Sequence, residues 1–223
     1  MTTELAINVS GFLFLSILVM LVVSIPFAYP IDDFDSDDRL QKINNDPKKF
    51  KVSIVIALIE GVRIISLAIM LFIAFGPLSI ILGVVWLTCR IGEGLIHIYS
   101  EIRYSGLINL ARQYSGTSGA EKKALIDAGR NILRTRSSGW ALASTLGGIG
   151  TLAYSIVFVS YGVIPSMIGW LGIVAGILYF FANGTKLVKA DYKTLPAIDG
   201  LANIAPLLVI VFEALAGVWL LFS

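Results

Sequence analysis

Seven ionisable residues stand inside long apolar stretches of this 223-residue chain, and any chemistry has to start from them. Glu60 and Arg63 lie in one stretch, Arg90, Glu93, His97 and Glu101 in a second, and Glu213 in a third. Glu60/Arg63 and Arg90/Glu93 are spaced i,i+3. Glu93/His97 and His97/Glu101 are spaced i,i+4. On a helix each such pair shares a face, so Arg90, Glu93, His97 and Glu101 form one polar stripe. A single charge at the centre of a bilayer costs about 2.5–3.5 kcal/mol on insertion scales, and intramembrane ionisable residues mark functional sites by default. Five such charges are untenable unless they pair or face a cavity. Three acids against two arginines leave one acid over, to hold a proton, to pair with His97 or to meet a cationic ligand. The reading that follows is a polar cavity at mid-membrane that binds a small molecule, an ion or a lipid headgroup. The competing reading is a set of paired charges that fixes helix packing.

Other chemistry is narrower. Imidazole and carboxylate both bind zinc or iron, so His97 between Glu93 and Glu101 is a conceivable metal site, although such pairs also arise as ordinary contacts on a helix. One histidine excludes a bis-histidine haem and an H-E-x-x-H zinc site. No nucleophile elbow and no phosphate-cradling G-x-x-x-x-G-K-[ST] is present. The acidic run 32–38 has Asp33, Asp35 and Asp37 at calcium-loop positions 1, 3 and 5. Asp38 then replaces the glycine at position 6 and Asn44 the glutamate at position 12, so the pattern fails and a solvated loop is the better reading. A single cysteine, Cys89, excludes an intramolecular disulfide. A net charge of +2 without a basic, aromatic-interleaved patch argues against a nucleic-acid partner.

These residues are positioned by membrane-spanning helices. The chain is 57% hydrophobic and 14% charged, where soluble domains carry about 25% charged residues. A span needs about 20 apolar residues. Six stretches reach or approach that length: roughly 6–27, 52–75, 78–100, 139–161, 163–183 and 202–222. Backbone groups in lipid must be satisfied within the segment, so the spans are helices. The ten-residue alternation of a membrane β-barrel is absent. The first stretch lacks a basic leader and an A-x-A cleavage pattern, and reads as a retained span rather than a signal peptide. The expected fold is an all-α polytopic bundle of six transmembrane helices, one domain over residues 1–223. At 1.5 Å per residue, Glu60 and Glu213 lie roughly 14 and 16 Å from the charged-loop ends of their helices, and Arg90 roughly 18 Å from the opposite end of its own. All three fall near the midplane.

Two connections are short, Phe75-Gly76-Pro77 and Tyr161 to Pro165, and predict helical hairpins. The loops 28–51, 101–138 and 184–201 hold 15 of the 17 basic residues, including Lys186, Lys189 and Lys193 in the last. In a six-span chain these loops share one side. The positive-inside rule puts them in the cytoplasm and both termini outside. In loop 101–138, Ser118 and Glu121 fit a capping box. Beyond it Leu125, Ile126, Ile132 and Leu133 form one face of a cytoplasmic amphipathic helix between the third and fourth spans. That helix lies on the anionic leaflet, docks a partner, or covers the protein's own loops.

Ala143/Gly147 and Ser144/Gly148 on the fourth span, with Gly172/Gly176 on the fifth, are small-residue pairs that let those two helices approach closely. Trp140 and Trp219 read as interface anchors. Trp86, mid-span, needs a partner for its N–H and is expected along the cavity.

Arg90-Ile91-Gly92-Glu93-Gly94, together with the hairpin from Tyr161-Gly162-Val163-Ile164-Pro165 through Gly169, Gly172 and Gly176, resembles the prokaryotic integral-membrane family known as domain of unknown function 4386. The resemblance implies a bundle of about six spans with a buried Arg/Glu pair in a middle helix, and so weight for Arg90 and Glu93. It implies a prokaryotic plasma membrane as the location, and no activity. The acidic first loop and the long basic central loop are not features associated with that family.

Three functions remain in order. The first is binding or transport of a small molecule or ion at Glu60, Arg63, Arg90, Glu93, His97 and Glu213. The second is a structural or accessory subunit with a membrane-protein partner. The third is an intramembrane enzyme using Glu93 and His97. The lipid bilayer is the one partner the composition demands. A small-molecule or lipid ligand belongs to the first reading, and no cofactor is named by any motif.

Overall fold

The computed structural model describes residues 2–29, 35–188 and 196–222. Asp32 and Asp33 of the acidic run, and Lys189 and Lys193, lie outside the described residues. Among the described residues there are eight α-helices and no strand: α1 Thr3–Ser24, α2 Ser36–Asn45, α3 Pro47–Phe75, α4 Ile80–Tyr104, α5 Leu107–Tyr114, α6 Gly119–Ser160, α7 Ser166–Val188 and α8 Pro196–Phe222. Six of them, α1, α3, α4, α6, α7 and α8, are long and apolar enough to cross a membrane. Their outward faces carry large apolar side chains, such as Val22, Ile81 and Trp170. The protein is a multi-pass membrane protein.

Local chemistry sets the helix ends. Thr2 accepts a hydrogen bond from the Leu5 amide to open α1. Asp46 accepts one from the Lys49 amide at 2.9 Å, with Pro47 in the first turn, to open α3. Asp35 caps α2 through the amides of Asp37 and Asp38, so the end of the acidic run starts a helix rather than a solvated loop. Tyr114 then hydrogen-bonds Asp37. A 3-10 turn over Gly76–Leu78 closes the α3/α4 hairpin, and Gly162 at φ 62° turns the chain between α6 and α7.

The structure differs from expectation around Ser118. The stretch that reads as a helix of its own runs without a break into the fourth span, because nothing between Gly119 and Gly139 stops it. At 42 residues α6 is roughly 63 Å long, about twice a bilayer's apolar thickness, and its first half stands on the charged-loop side. Ser118 is the N-cap, yet its side chain makes no capping bond. Gly119, at φ 64°, turns the chain at the cap, so the reciprocal bonds of a capping box do not form.

The interior has two apolar layers. On the short-turn side Phe14, Trp86, Tyr154, Phe158 and Phe212 anchor one cluster. On the charged-loop side Leu40, Ile43, Phe50, Tyr104 and Leu107 anchor the other, joining α2 and α5 to the roots of α3, α4 and α6. The mid-span charges Arg63, Arg90, Glu93 and Glu213 lie between the two layers.

Candidate functional site

Gly61 of α3 and Gly94 of α4 face each other so closely that a Cβ on Gly94 would stand 2.8 Å from the Gly61 carbonyl oxygen. The approach places Glu60/Arg63 and Arg90/Glu93 side by side. A Cβ on Gly147 of α6 would meet Glu93 Oε1 at 2.5 Å, and one on Gly150 would meet Arg90 Cγ at 2.6 Å. These glycines form a notch into which the Arg90 and Glu93 side chains lie. Gly148, one residue from Gly147, faces α7 instead, against the Phe180 backbone, and Gly176 meets Leu152 and Gly148 in return. The fourth and fifth spans therefore join through small residues as expected, but Gly147 belongs to the charged site.

The five mid-span charges form one network. Arg63 donates to both carboxylate oxygens of Glu60, at 2.8 and 2.6 Å, and to the Leu13 carbonyl at 3.0 Å. Arg90 donates to Glu93 at 2.8 Å and to Glu213 at 3.1 Å. Glu213 also lies 3.6 Å from Arg63, so the carboxylate of α8 bridges the two arginines. Arg63, Arg90, Glu93 and Glu213 are buried, whereas the Glu60 side chain keeps 31% of its exposure. The count of three acids to two arginines holds in space as in sequence. With every carboxylate ionised, the network carries one negative charge.

His97 does not complete it. Among the described residues its ring hydrogen-bonds neither Glu93 nor Glu101; it stands edge-on to Trp140 with centroids 4.8 Å apart. Glu101 pairs with Arg136 at 2.7 Å instead. Among the described residues no three of His, Cys, Asp and Glu converge as metal ligands. Trp86 is fully buried against Phe72 in the short-turn cluster and does not line the cavity. Trp140, expected as an interface anchor, does line it.

Glu60, Arg63, Arg90, Glu93, His97 and Glu213 all face one cavity of about 370 Å³, within the usual range of ligand pockets. The polar wall is α4, running from Arg90 to Tyr104 over roughly 21 Å. Ile17, Met20 and Leu21 of α1, Ile56 of α3, and Val209 and Ile210 of α8 supply an apolar wall. Tyr104, Arg136, Trp140 and Tyr179, which sequence reasoning did not assign to the site, line it too. At the charged-loop end Tyr29 lines the cavity. Burial, with Tyr104 and Asp46 adding to it, raises its hydroxyl above the ordinary tyrosine value and keeps the ring neutral.

The model of the domain of unknown function DUF4386 matches residues 9–223. The chain belongs to that family. No curated protein and no solved structure matches it. The match takes in every cluster residue, so the buried network and its cavity lie wholly within the DUF4386 domain. The family carries no activity to transfer.

Proposed function

We propose that this DUF4386 protein binds a small molecule or ion in the cavity at the charged network, as a binding protein or transporter. The observation that supports the reading is coincidence: the cavity is bounded by all five network charges. A network serving packing alone would be expected to exclude space, because low dielectric strengthens ion pairs and a void does nothing for them. The two arginines suit an anionic group, and the uncompensated carboxylate suits a proton or a cation.

Native mass spectrometry of the protein released gently from its own membrane tests this. The expected result is a reproducible small-molecule or ion adduct that Glu60→Gln removes while the protein still migrates as a folded species. Glu60 is chosen because it is the most exposed member of the network. A bare chain would contradict the reading. A mass increased only by another polypeptide would favour the second one, an accessory subunit, which draws its support from the mutual pairing of every network charge.

The proposed orientation places the basic loops in the cytoplasm and both termini outside, in a plasma membrane. With Cys89 replaced by serine, a cysteine at Ser115, an exposed position beyond α5, is expected to react with a membrane-impermeant maleimide only after cells are opened. Labelling of intact cells would reverse the orientation.

A further inference from the structure

Among the described residues, aromatic side chains layer both ends of the cavity. At the charged-loop end the Arg136 guanidinium lies 4.0 Å over the Tyr104 ring, Tyr104 meets Phe50 at 4.9 Å, and Phe50 meets Tyr29 at 5.5 Å. Arg39 donates to the Tyr104 hydroxyl at 2.7 Å and locks this layer. Toward the other end Phe14 meets Tyr154 and Phe212 edge-on, and those two rings stack on each other. The loose wall is the second half of α1. Every buried residue of that helix lies between Ala6 and Phe14; from Leu15 to Phe27 none is buried. Beyond it, on the outer face of α1 and α3, lies an apolar groove of about 490 Å³. Met20 and Arg63 border both the groove and the inner cavity, so a side-chain layer separates the two. A molecule dissolved in the bilayer meets this seam.

The walls describe what fits. One is the polar stripe of α4, the other is aliphatic from α1, α3 and α8. The charge left over is negative, and Glu60 is the carboxylate that retains exposure. We propose that the cavity takes a single-chain amphiphile with a cationic amine head, admitted sideways from the bilayer between α1 and α3; this rests on the reading of the cavity as a ligand site. The head lies by Glu60 and Glu213 and supplies the missing positive charge. The chain lies along Ile17, Ile56 and Ile210, where apolar surface favours it.

The test uses three probes added to the protein in phosphatidylcholine nanodiscs, with retention read by native mass spectrometry. Dodecylamine has the head and the chain, butylamine the head alone, and dodecanoate the chain with an anionic head. Dodecylamine is expected to saturate at one per chain, with retention at least tenfold above either other probe. Glu60→Gln and, separately, Ile210→Trp, which fills the aliphatic wall, are each expected to lower it tenfold. Unfolding midpoints of both variants identify any that fails to fold. Glu60-dependent binding of butylamine as tight as that of dodecylamine would overturn the amphiphile and leave the ligand site standing. Equal retention of dodecanoate would overturn the cationic head. Unsaturable dodecylamine, insensitive to both substitutions, would overturn the proposal outright. Loss of the ligand-site reading itself is a different result: no adduct on the protein released from its own membrane.

Discussion

Arg90→Met is expected to cost about 3–5 kcal/mol of stability, the range for removing one partner of a buried ion pair. Arg90 is buried, and its guanidinium serves two carboxylates on two helices, Glu93 at 2.8 Å and Glu213 at 3.1 Å. Without it both remain in a low-dielectric interior, and among the described residues only Arg63, 3.6 Å from Glu213, is in ion-pair reach. The loss is measured by titrating the micelle-bound protein with a denaturing detergent and following the unfolding midpoint. The triple replacement R90M/E93Q/E213Q should recover at least half of it, because the stranded charges are gone. A triple variant no better than the single one would mean that Arg90 stabilises through packing and not through charge.

Gly147→Val should be nearly as damaging, at about 3 kcal/mol or more. Overpacking of a closed site alone costs about 1–3 kcal/mol. Here the new Cβ would fall 2.5 Å from Glu93 Oε1 and 2.7 Å from its carboxyl carbon, so the carboxylate must leave Arg90 as well. Gly184→Ala is the control on α7. Among the described residues its Cβ would find only a Thr145 methyl at 3.9 Å, so the better helix propensity of alanine should leave stability unchanged or raise it by up to about 1 kcal/mol. The same detergent titration reads both. Equal loss at the two positions would show that any glycine replacement on these helices is harmful, and that the notch has no special role.

Most of the bundle was legible because the bilayer reduces fold to length and apolarity. Five of the six expected spans match helices whose ends lie within a few residues of, or extend beyond, the expected stretches. The exception, the fourth, begins some twenty residues earlier, since a polar amphipathic stretch and an apolar one look like two elements when no turn signal is weighed between them. The network was legible for a related reason: Glu60, Arg63, Arg90, Glu93 and Glu213 are charges in apolar surroundings, and one sequence suffices to notice that. What it does not contain is direction across helices. Arg136 counted among the loop charges, yet the continuous α6 brings it to Glu101. His97 shares a helix face with two glutamates, yet turns its ring to Trp140. Gly147 and Gly148 are neighbours in sequence and face different helices. Each of these is settled by the rotation of one helix against another, which the i,i+3 and i,i+4 rules leave open.

The central claim is that the charged network bounds a space which something occupies. A cryo-electron microscopy map of the protein in nanodiscs made with its native lipids tests that directly. The expected result is non-protein density between α1 and α4, touching the exposed side of Glu60, with Arg63 and Arg90 held on their carboxylates. A map in which α1 has closed against α4, with the network intact and no space left between them, would contradict it and leave the charges as packing.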